Sequence, residues 1–373
     1  MRNKIVSFLK LKIENDFVKK EVLKKISELA DNSAFTLGPP VQEFEKNFSR
    51  FCGAKFCLGV NSGTDALRTA LLACGVISGD EVITTPITYA STSLAIAHCG
   101  AKPVFVDVLD NGNIDPSKIE SAITKRTKVI LVVHMYGNIC DMDKIRPIAK
   151  RHGLFLIDDC AHSQGASYKG KMAGSLAEIS CFSFYPTKNL GAWGDAGAIT
   201  TDNKNLLDKA SLFKDRGEAV KNYSKVIGYN SRLDTIQAIV LNEKLKHLKV
   251  WNKRRSDVAL KYIKALGGVG DIKMLPFSRE CSYYNFPIIT SQRKKLMLFL
   301  EKMGVKTLIN YPLPVHLQEC FRYLGYKRGD LPKAESFADS VMSLPFHSFL
   351  TSQEQNLVIR LIKEFFDKNS KKC

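Results

Sequence analysis

Nowhere in the 373 residues does an apolar run approach the roughly 20 positions of a membrane span, so no membrane-crossing helix is expected. The ten cysteines, at 52, 57, 74, 99, 140, 160, 181, 281, 320 and 373, include no Cys-x-x-Cys pair and no zinc-ligand spacing. Several sit inside apolar runs, which predicts reduced, mostly buried thiols, a cytoplasmic setting and no metal centre. Internal repeats and low-complexity tracts are absent. Residues 1–15, "MRNKIVSFLKLKIEN", are basic but lack a long apolar core and a small-residue cleavage site, so they do not read as a signal peptide. Acidic residues are the minority, 37 against 55 Lys and Arg, for a net charge of +18. The basic residues are spread along the chain, with short clusters only at 244–255 and 368–372, and no nucleic-acid-binding module accompanies them. A nucleic-acid partner is therefore not expected; an anionic substrate is compatible with the charge.

What is present is ordinary globular stock, 45% apolar and 25% charged, in a chain long enough for one large and one smaller domain. Between 56 and 200, short apolar runs alternate with helical stretches. The strands are expected at 56–60, 81–85, 103–107, 128–133, 154–158, 180–184 and 197–201, and the helices at 64–75, 89–99, 116–123 and 142–152. Such alternation predicts an α/β domain with a mainly parallel sheet covered on both faces, ligands gathering at the carboxyl ends of its strands. A long helical stretch covers 234–265. The glycines of "ALGGVGD" (265–271) then set a loose boundary. Residues 1–265, with an N-terminal helical segment and the long connecting helix, form the expected large domain. Residues 266–373 form a smaller α+β domain, with strands at 283–289 and 305–309 and helices at 292–303, 332–340 and 352–368.

Three strand ends carry groups that belong together chemically. "VNSGTDALRTALL" (60–72) is a strand, a tight turn and a helix. A helix start offers unpaired N–H groups and partial positive charge to a phosphate, Gly63 permits close approach, and Thr64 adds a hydroxyl. Simple capping by Ser62 or Thr64 explains the same residues. "FLIDDCAHSQGA" (155–166) ends an apolar strand on two aspartates, where an unpaired carboxylate is costly. A protonated pyridine nitrogen would partner Asp159; so would an arginine or a capped turn. "SCFSFYPTKNLGAWGDAGAITTD" (180–202) holds Lys188 in a cramped turn, with Ser183 five residues before it. Position alone makes Lys188 a solvated turn lysine. The glycines at 191, 194 and 197 do not have the spacing or setting of a dinucleotide fingerprint. An aldehyde cofactor with a pyridine ring and a phosphate tail uses all three stretches at once, and that cofactor is pyridoxal 5′-phosphate.

With these residues in view, the chain resembles the DegT/DnrJ/StrS family of sugar aminotransferases, a fold-type I group. The resemblance runs through "GPPVQEFEKNF" (38–48), "GVNSGTDAL" (59–67), "GDEVITTPITYAST" (79–92), "SFYPTKNLGAWGDAGAI" (183–199), "GYNSRLDTIQA" (228–238) and "YPLPVHLQ" (311–318). It implies that Lys188 is the Schiff-base lysine, that Asp159 partners the pyridine nitrogen, and that Gly63, Thr64 and Ser183 bind the phosphate. Tyr89 stands where the family stacks an aromatic on the cofactor ring. Asn230 resembles a phosphate ligand donated by the neighbouring subunit of a homodimer, and Arg232 a contact for the substrate diphosphate. Tyr185 and Trp193 flank the lysine as substrate contacts or as walls. His162 stands where the family commonly has glutamine, within reach of the cofactor ring or its phenolic oxygen. Asn310 precedes "YPLPVH" where the family often has histidine, leaving His316 as the sugar-contacting candidate.

The implied reaction is ping-pong transamination, with L-glutamate as the amino donor and a nucleotide-linked keto-sugar as the acceptor. Ser231, where members acting on 4-keto sugars more often carry an aromatic, favours a 3-keto substrate. The nucleotide is expected to be dTDP, with UDP and GDP as alternatives. Lys188 argues against the family's deoxygenating dehydratases, which replace that lysine with histidine. A regulatory protein that binds the cofactor without turnover is the reading from another class.

Overall fold

The computed structural model describes residues 5–370; Cys373 and the end of the basic 368–372 cluster lie outside it. The chain begins with two helices, α1 (Leu11–Asp31) and α2 (Pro39–Cys52). Prolines at the first turn and left-handed Gly53 at the end bound α2, while Val41, Phe44, Phe48 and Cys52 form its buried stripe. Then come β1 (Phe56–Val60), α3 (Gly63–Ala73), β2 (Glu81–Thr84), α4 (Ser91–His98), β3 (Lys102–Phe105), β4 (Thr127–Val133), α5 (Met142–Arg151) and β5 (Phe155–Asp159). A small hairpin, β6 (Ser167–Tyr168) and β7 (Lys171–Met172), precedes β8 (Ile179–Ser183), β9 (Gly197–Thr201) and α6 (Lys204–Lys214).

The seven-stranded sheet has the order β1-β9-β8-β5-β4-β2-β3. Because β1 and β8 both run antiparallel to β9, they are parallel to each other and to the remaining four strands. The carboxyl ends of β1, β5 and β8 therefore share one edge. Apolar side chains from both faces of this sheet are buried, in agreement with near-continuous apolar strands such as "TKVILVV" in β4.

Beyond α6 lie the hairpin β10 (Glu218–Val220) and β11 (Tyr223–Ser224), then α7 (Thr235–Leu245) and α8 (Leu248–Leu266). The single helix expected at 234–265 is thus broken at Lys246–His247. The His247 ring stacks on Trp251 at 5.5 Å, and the turn keeps Leu248 and Trp251 in the interior. A second sheet joins β12 (Lys273–Met274), β13 (Phe286–Ile289) and β14 (Val341–Leu344), with α9 (Arg293–Lys302), α10 (Pro332–Ser340) and α11 (Ser352–Ser370). No strand forms at 305–309: Val305 bridges Val6 and Leu308 bridges Ser343, so its residues meet two different partners and no ladder develops. The expected helix at 116–123 is two short 3₁₀ turns, Pro116–Lys118 and Glu120–Ala122. No described helix is long and apolar enough to cross a membrane.

Candidate active site

The shared strand edge opens into a cavity of about 470 Å³, lined among others by Gly63, Thr64, Tyr89, Asp159, His162, Ser183, Tyr185 and Lys188. Residues 125 positions apart in sequence, Gly63 and Lys188, meet there because β1 and β8 flank β9.

At the start of α3, the Ser62 hydroxyl accepts the Asp65 N–H (3.2 Å), so Ser62 is the cap and the Thr64 hydroxyl is left for other work. Gly63 sits directly against β8. A Cβ on it would lie 2.5 Å from Ser183 Cβ and 3.1 Å from Ser183 Cα, so the first turn of α3 approaches Ser183 only with glycine there. Gly63→Ala is expected to push the turn from Ser183 and weaken pyridoxal phosphate binding roughly tenfold, given about 1–3 kcal/mol for overpacking. A fluorescence titration of the cofactor into the purified variant measures it.

Asp159 ends β5 at 5% exposure. Its Oδ1 accepts the Ala161 N–H (3.0 Å) and its Oδ2 the Thr92 hydroxyl (2.9 Å). Thr92 spends its proton on the carboxylate, so the neighbouring Thr88 hydroxyl, 2.8 Å away, donates to Thr92. Burial pushes the Asp159 carboxyl above the ordinary aspartate range, opposed by the Ala161 and Thr92 hydrogen bonds and by the charge of Lys188. No cationic side chain lies within 4 Å of it among the described residues. Behind it, buried His134 takes the Cys140 N–H on Nδ1 (3.2 Å), which leaves Nε2–H to face Asp158 Oδ2 (3.3 Å).

Lys188 follows a turn closed by its own N–H on the Tyr185 carbonyl (2.8 Å). The turn is anchored from below by Asn189, which donates to Asn252 Oδ1 (3.0 Å) and the Ser282 carbonyl (2.8 Å). Buried Lys244 donates to the Gly191 carbonyl (2.8 Å). The Lys188 Nζ lies 4.5 Å from the centroid of Tyr284, and no carboxylate is within 4 Å among the described residues. Tyr284 also stacks on His162 at 4.1 Å and 22°, while Tyr311 Oη is 3.4 Å from His162 Nε2. Burial and the adjacent Lys188 charge hold His162 well below the usual histidine range, so it is neutral.

Tyr89 and Tyr185 stand at the cavity rim, 62% and 52% exposed. Trp193 does not line the cavity; it packs against the cluster between α1 and α7, and its indole N–H donates to Asn15 Oδ1 (2.8 Å) on α1. Asn230 and Arg232 do not line the cavity. Asn230 is exposed and bridges Asp215, and the Arg232 guanidinium lies 3.6 Å from the same aspartate. Ser231, fully buried, donates to Asn61 (2.9 Å) just ahead of α3. The expectation for His316 is corrected. It is 1% exposed, faces Glu335 at 3.3 Å among Phe105 and Tyr326, and does not line the cavity. Its 3₁₀ turn, Val315–Leu317, points the ring into the core.

Thr92, Tyr284 and Tyr311 were missed as site residues. Thr92 had a signal, three positions beyond Tyr89 and so on the same face of a helix start. Tyr284 had none.

The residues present fit pyridoxal phosphate on three observations. A helix start meets Ser183 through a glycine that a Cβ would obstruct. A buried carboxylate lacks a cation, and a fully buried His162 Nδ1 lacks any partner among the described residues.

Comparison with known proteins gives a concordant result. The model of the DegT/DnrJ/EryC1/StrS aminotransferase family matches residues 16–363. A pleiotropic regulatory protein of Geobacillus stearothermophilus is 42% identical, over 97% of this chain and 98% of that protein. The dTDP-3-amino-3,4,6-trideoxy-alpha-D-glucose transaminase of Streptomyces venezuelae is 38% identical, over 97% and 98%. The crystal structure of S. venezuelae DesV in complex with a ketimine intermediate superposes with a TM-score of 0.95 at 38% identity, covering 97% of this chain and 99% of that one. From the Gly63 turn to the Lys188 turn and along nearly its whole length, the chain belongs to the DegT/DnrJ/EryC1/StrS aminotransferase family.

Proposed function

We propose that the chain transfers an amino group from L-glutamate to C3 of a dTDP-linked 3-keto-6-deoxyhexose, by a ping-pong route, as a homodimer. As a family member it is a pyridoxal phosphate-dependent sugar aminotransferase. The observation that carries the assignment of roles is one cavity holding Lys188, Asp159 and the start of α3. When bound, pyridoxal phosphate supplies an aldehyde that condenses with amines and a ring that draws electrons from the adjoining carbon.

Each protein group then has a defined task. Gly63, Thr64 and Ser183 hold the phosphate at the α3 N-terminus. Asp159 keeps a proton on the ring nitrogen, its geometry fixed by Thr92 and Ala161. Lys188 Nζ takes the proton leaving the donor's α-carbon and delivers protons in the second half-reaction. The face of Tyr284 stabilises the lysine while it is charged. Tyr89 and Tyr185 border the path of the sugar.

The C3 preference is supported by Ser231 and by the C3 amine in the name of the 38% identical S. venezuelae relative. A panel of dTDP-3-keto and dTDP-4-keto sugars with UDP and GDP counterparts, followed by 2-oxoglutarate release from glutamate, tests it. The 3-keto dTDP sugar is expected to react fastest; faster turnover of a 4-keto sugar contradicts the C3 assignment. The regulatory reading, which the name of the 42% identical relative brings forward, predicts no release with any sugar.

Sharing of sites across a dimer predicts complementation. Lys188→Ala kills the site in its own subunit, while Asn230→Ala impairs the site of its partner. Mixed and reassembled, the inactive and the impaired variant are expected to reach at least about a quarter of wild-type activity, one intact site in each mixed dimer. No recovery would place Asn230 outside the partner's site.

A further inference from the structure

We infer that Asn189 is a positioning residue: its side-chain amide, acting through Asn252 and Ser282, sets where the Lys188 turn stands relative to the Asp159 turn. This rests on the reading of Lys188 and Asp159 as the groups that work on pyridoxal phosphate. Asn189 follows Lys188 directly, is 1% exposed, and does not itself line the cavity. Its Nδ2 donates to Asn252 Oδ1 (3.0 Å) and to the Ser282 carbonyl (2.8 Å). Each of these two residues donates onward into the chain just past Asp159. Asn252 Nδ2, on α8, reaches the Gln164 carbonyl (2.8 Å), and the Ser282 hydroxyl reaches the His162 carbonyl (3.1 Å). Gln164 Nε2 in turn donates to the Ala161 carbonyl (3.2 Å), and the Ala161 N–H is the one held by Asp159 Oδ1 (3.0 Å). Two arms thus join the residue beside the lysine to the turn that carries the carboxylate.

Backbone carbonyls, which can only accept, fix the direction of these bonds. The Asn189 atom facing the Ser282 carbonyl must be Nδ2, so Asn252 presents Oδ1 to it. The Asn252 atom facing the Gln164 carbonyl is then Nδ2. One nitrogen with two protons serves both arms, a demand that neither a carboxylate nor a hydroxyl meets. The arms are also closely fitted. A Cβ on Gly165, whose φ is +81°, would lie 2.5 Å from Asn252 Nδ2, and one on Gly137, at φ +89°, would lie 2.3 Å from Ser282 Oγ. Without the Asn189 amide, the Lys188 turn keeps its N–H bond to the Tyr185 carbonyl and the Lys244 bond to the Gly191 carbonyl. It therefore still forms, but it loses its tie to the Asp159 turn. A small misplacement of a reacting group costs rate more than affinity.

The test mixes pyridoxal phosphate with the cofactor-free protein and follows the visible band of the lysine-linked cofactor. Asn189→Ala is expected to lower the limiting rate at saturating cofactor about tenfold, while the half-saturating concentration changes by no more than about twofold. Asn252→Asp keeps an acceptor for Asn189 but opposes the Gln164 carbonyl, and Ser282→Ala removes only the hydroxyl that faces His162. Each leaves Asn189 its own two bonds and is expected to slow the band about threefold; neither should add more than about twofold to Asn189→Ala. These two variants also answer the question if Asn189→Ala does not fold. Hydrogen exchange in cofactor-free Asn189→Ala is expected to quicken in residues 159–166 and 185–191 and to stay unchanged in β4. Limiting rates within twofold of wild type in every variant overturn the inference. So does a full additional loss in the double variants, or exchange that quickens throughout the chain, which would mean general destabilisation. If the wild-type protein forms no band, the pyridoxal phosphate reading fails instead, and the exchange pattern still decides whether Asn189 ties the two turns.

Discussion

Lys188→Ala is expected to lower turnover about 10⁴-fold, because on the proposed assignment it removes both the nucleophile that the cofactor aldehyde bonds and the group that moves protons. The fold should be unaffected. Among the described residues the Lys188 Nζ forms no ion pair, and its contact is the Tyr284 ring at 4.5 Å, worth about 0.5–2 kcal/mol in general. The backbone hydrogen bond from Lys188 N–H to the Tyr185 carbonyl does not depend on the side chain. Lys188→Arg separates charge from chemistry: the guanidinium keeps the cation over Tyr284 but cannot give up its proton near neutral pH. It should be as inactive as the alanine variant. Retention of more than a few per cent of turnover in either variant would mean that another group moves the proton.

Asp159→Asn is expected to lower turnover roughly 10²–10³-fold, the usual loss on removing one preorganised electrostatic contact, while leaving the cofactor-free protein no less stable. The sign follows from the direction of the shift. Burial raises the folded-state carboxyl above its unfolded value. Stability therefore falls as pH rises from the ordinary aspartate range through the raised folded value, and the penalty persists at neutral pH. The asparagine variant carries no such penalty, so its thermal midpoint without cofactor should equal or exceed that of the wild-type protein at pH 7. A bound cation at the ring nitrogen offsets the penalty in the wild-type protein alone. Saturating cofactor should accordingly raise the midpoint of the wild type more than that of Asp159→Asn. An equal rise in both would show that Asp159 does not meet the ring nitrogen.

The large sheet was legible because its strands are apolar runs separated by helices of ordinary length, and Gly63, Asp159 and Lys188 each announced a strand end. Their convergence was not written in any one stretch; it follows from the reversed strand β9 lying between β1 and β8. The break at Lys246–His247 was hidden because apolar residues continue across it, at Leu245 and Leu248. His316 illustrates the opposite failure: a histidine in a motif-bearing stretch looks functional until its turn buries it against Glu335. Tyr284 was illegible for a physical reason. It reaches the cavity from the segment just before β13 and contacts Lys188, 96 positions away in sequence, a pairing that only tertiary packing creates.

The central claim is that Lys188 bonds pyridoxal phosphate and works on it with an amino donor. Its most direct test is the absorbance spectrum of the purified, cofactor-loaded protein before and after adding L-glutamate, beside the Lys188→Ala variant. The account predicts the visible band of a lysine-linked cofactor in the wild-type protein, its conversion to the amine form with glutamate, and neither in the variant. A wild-type protein that shows no such band with excess pyridoxal phosphate, or a variant that shows the same band and conversion, would contradict it.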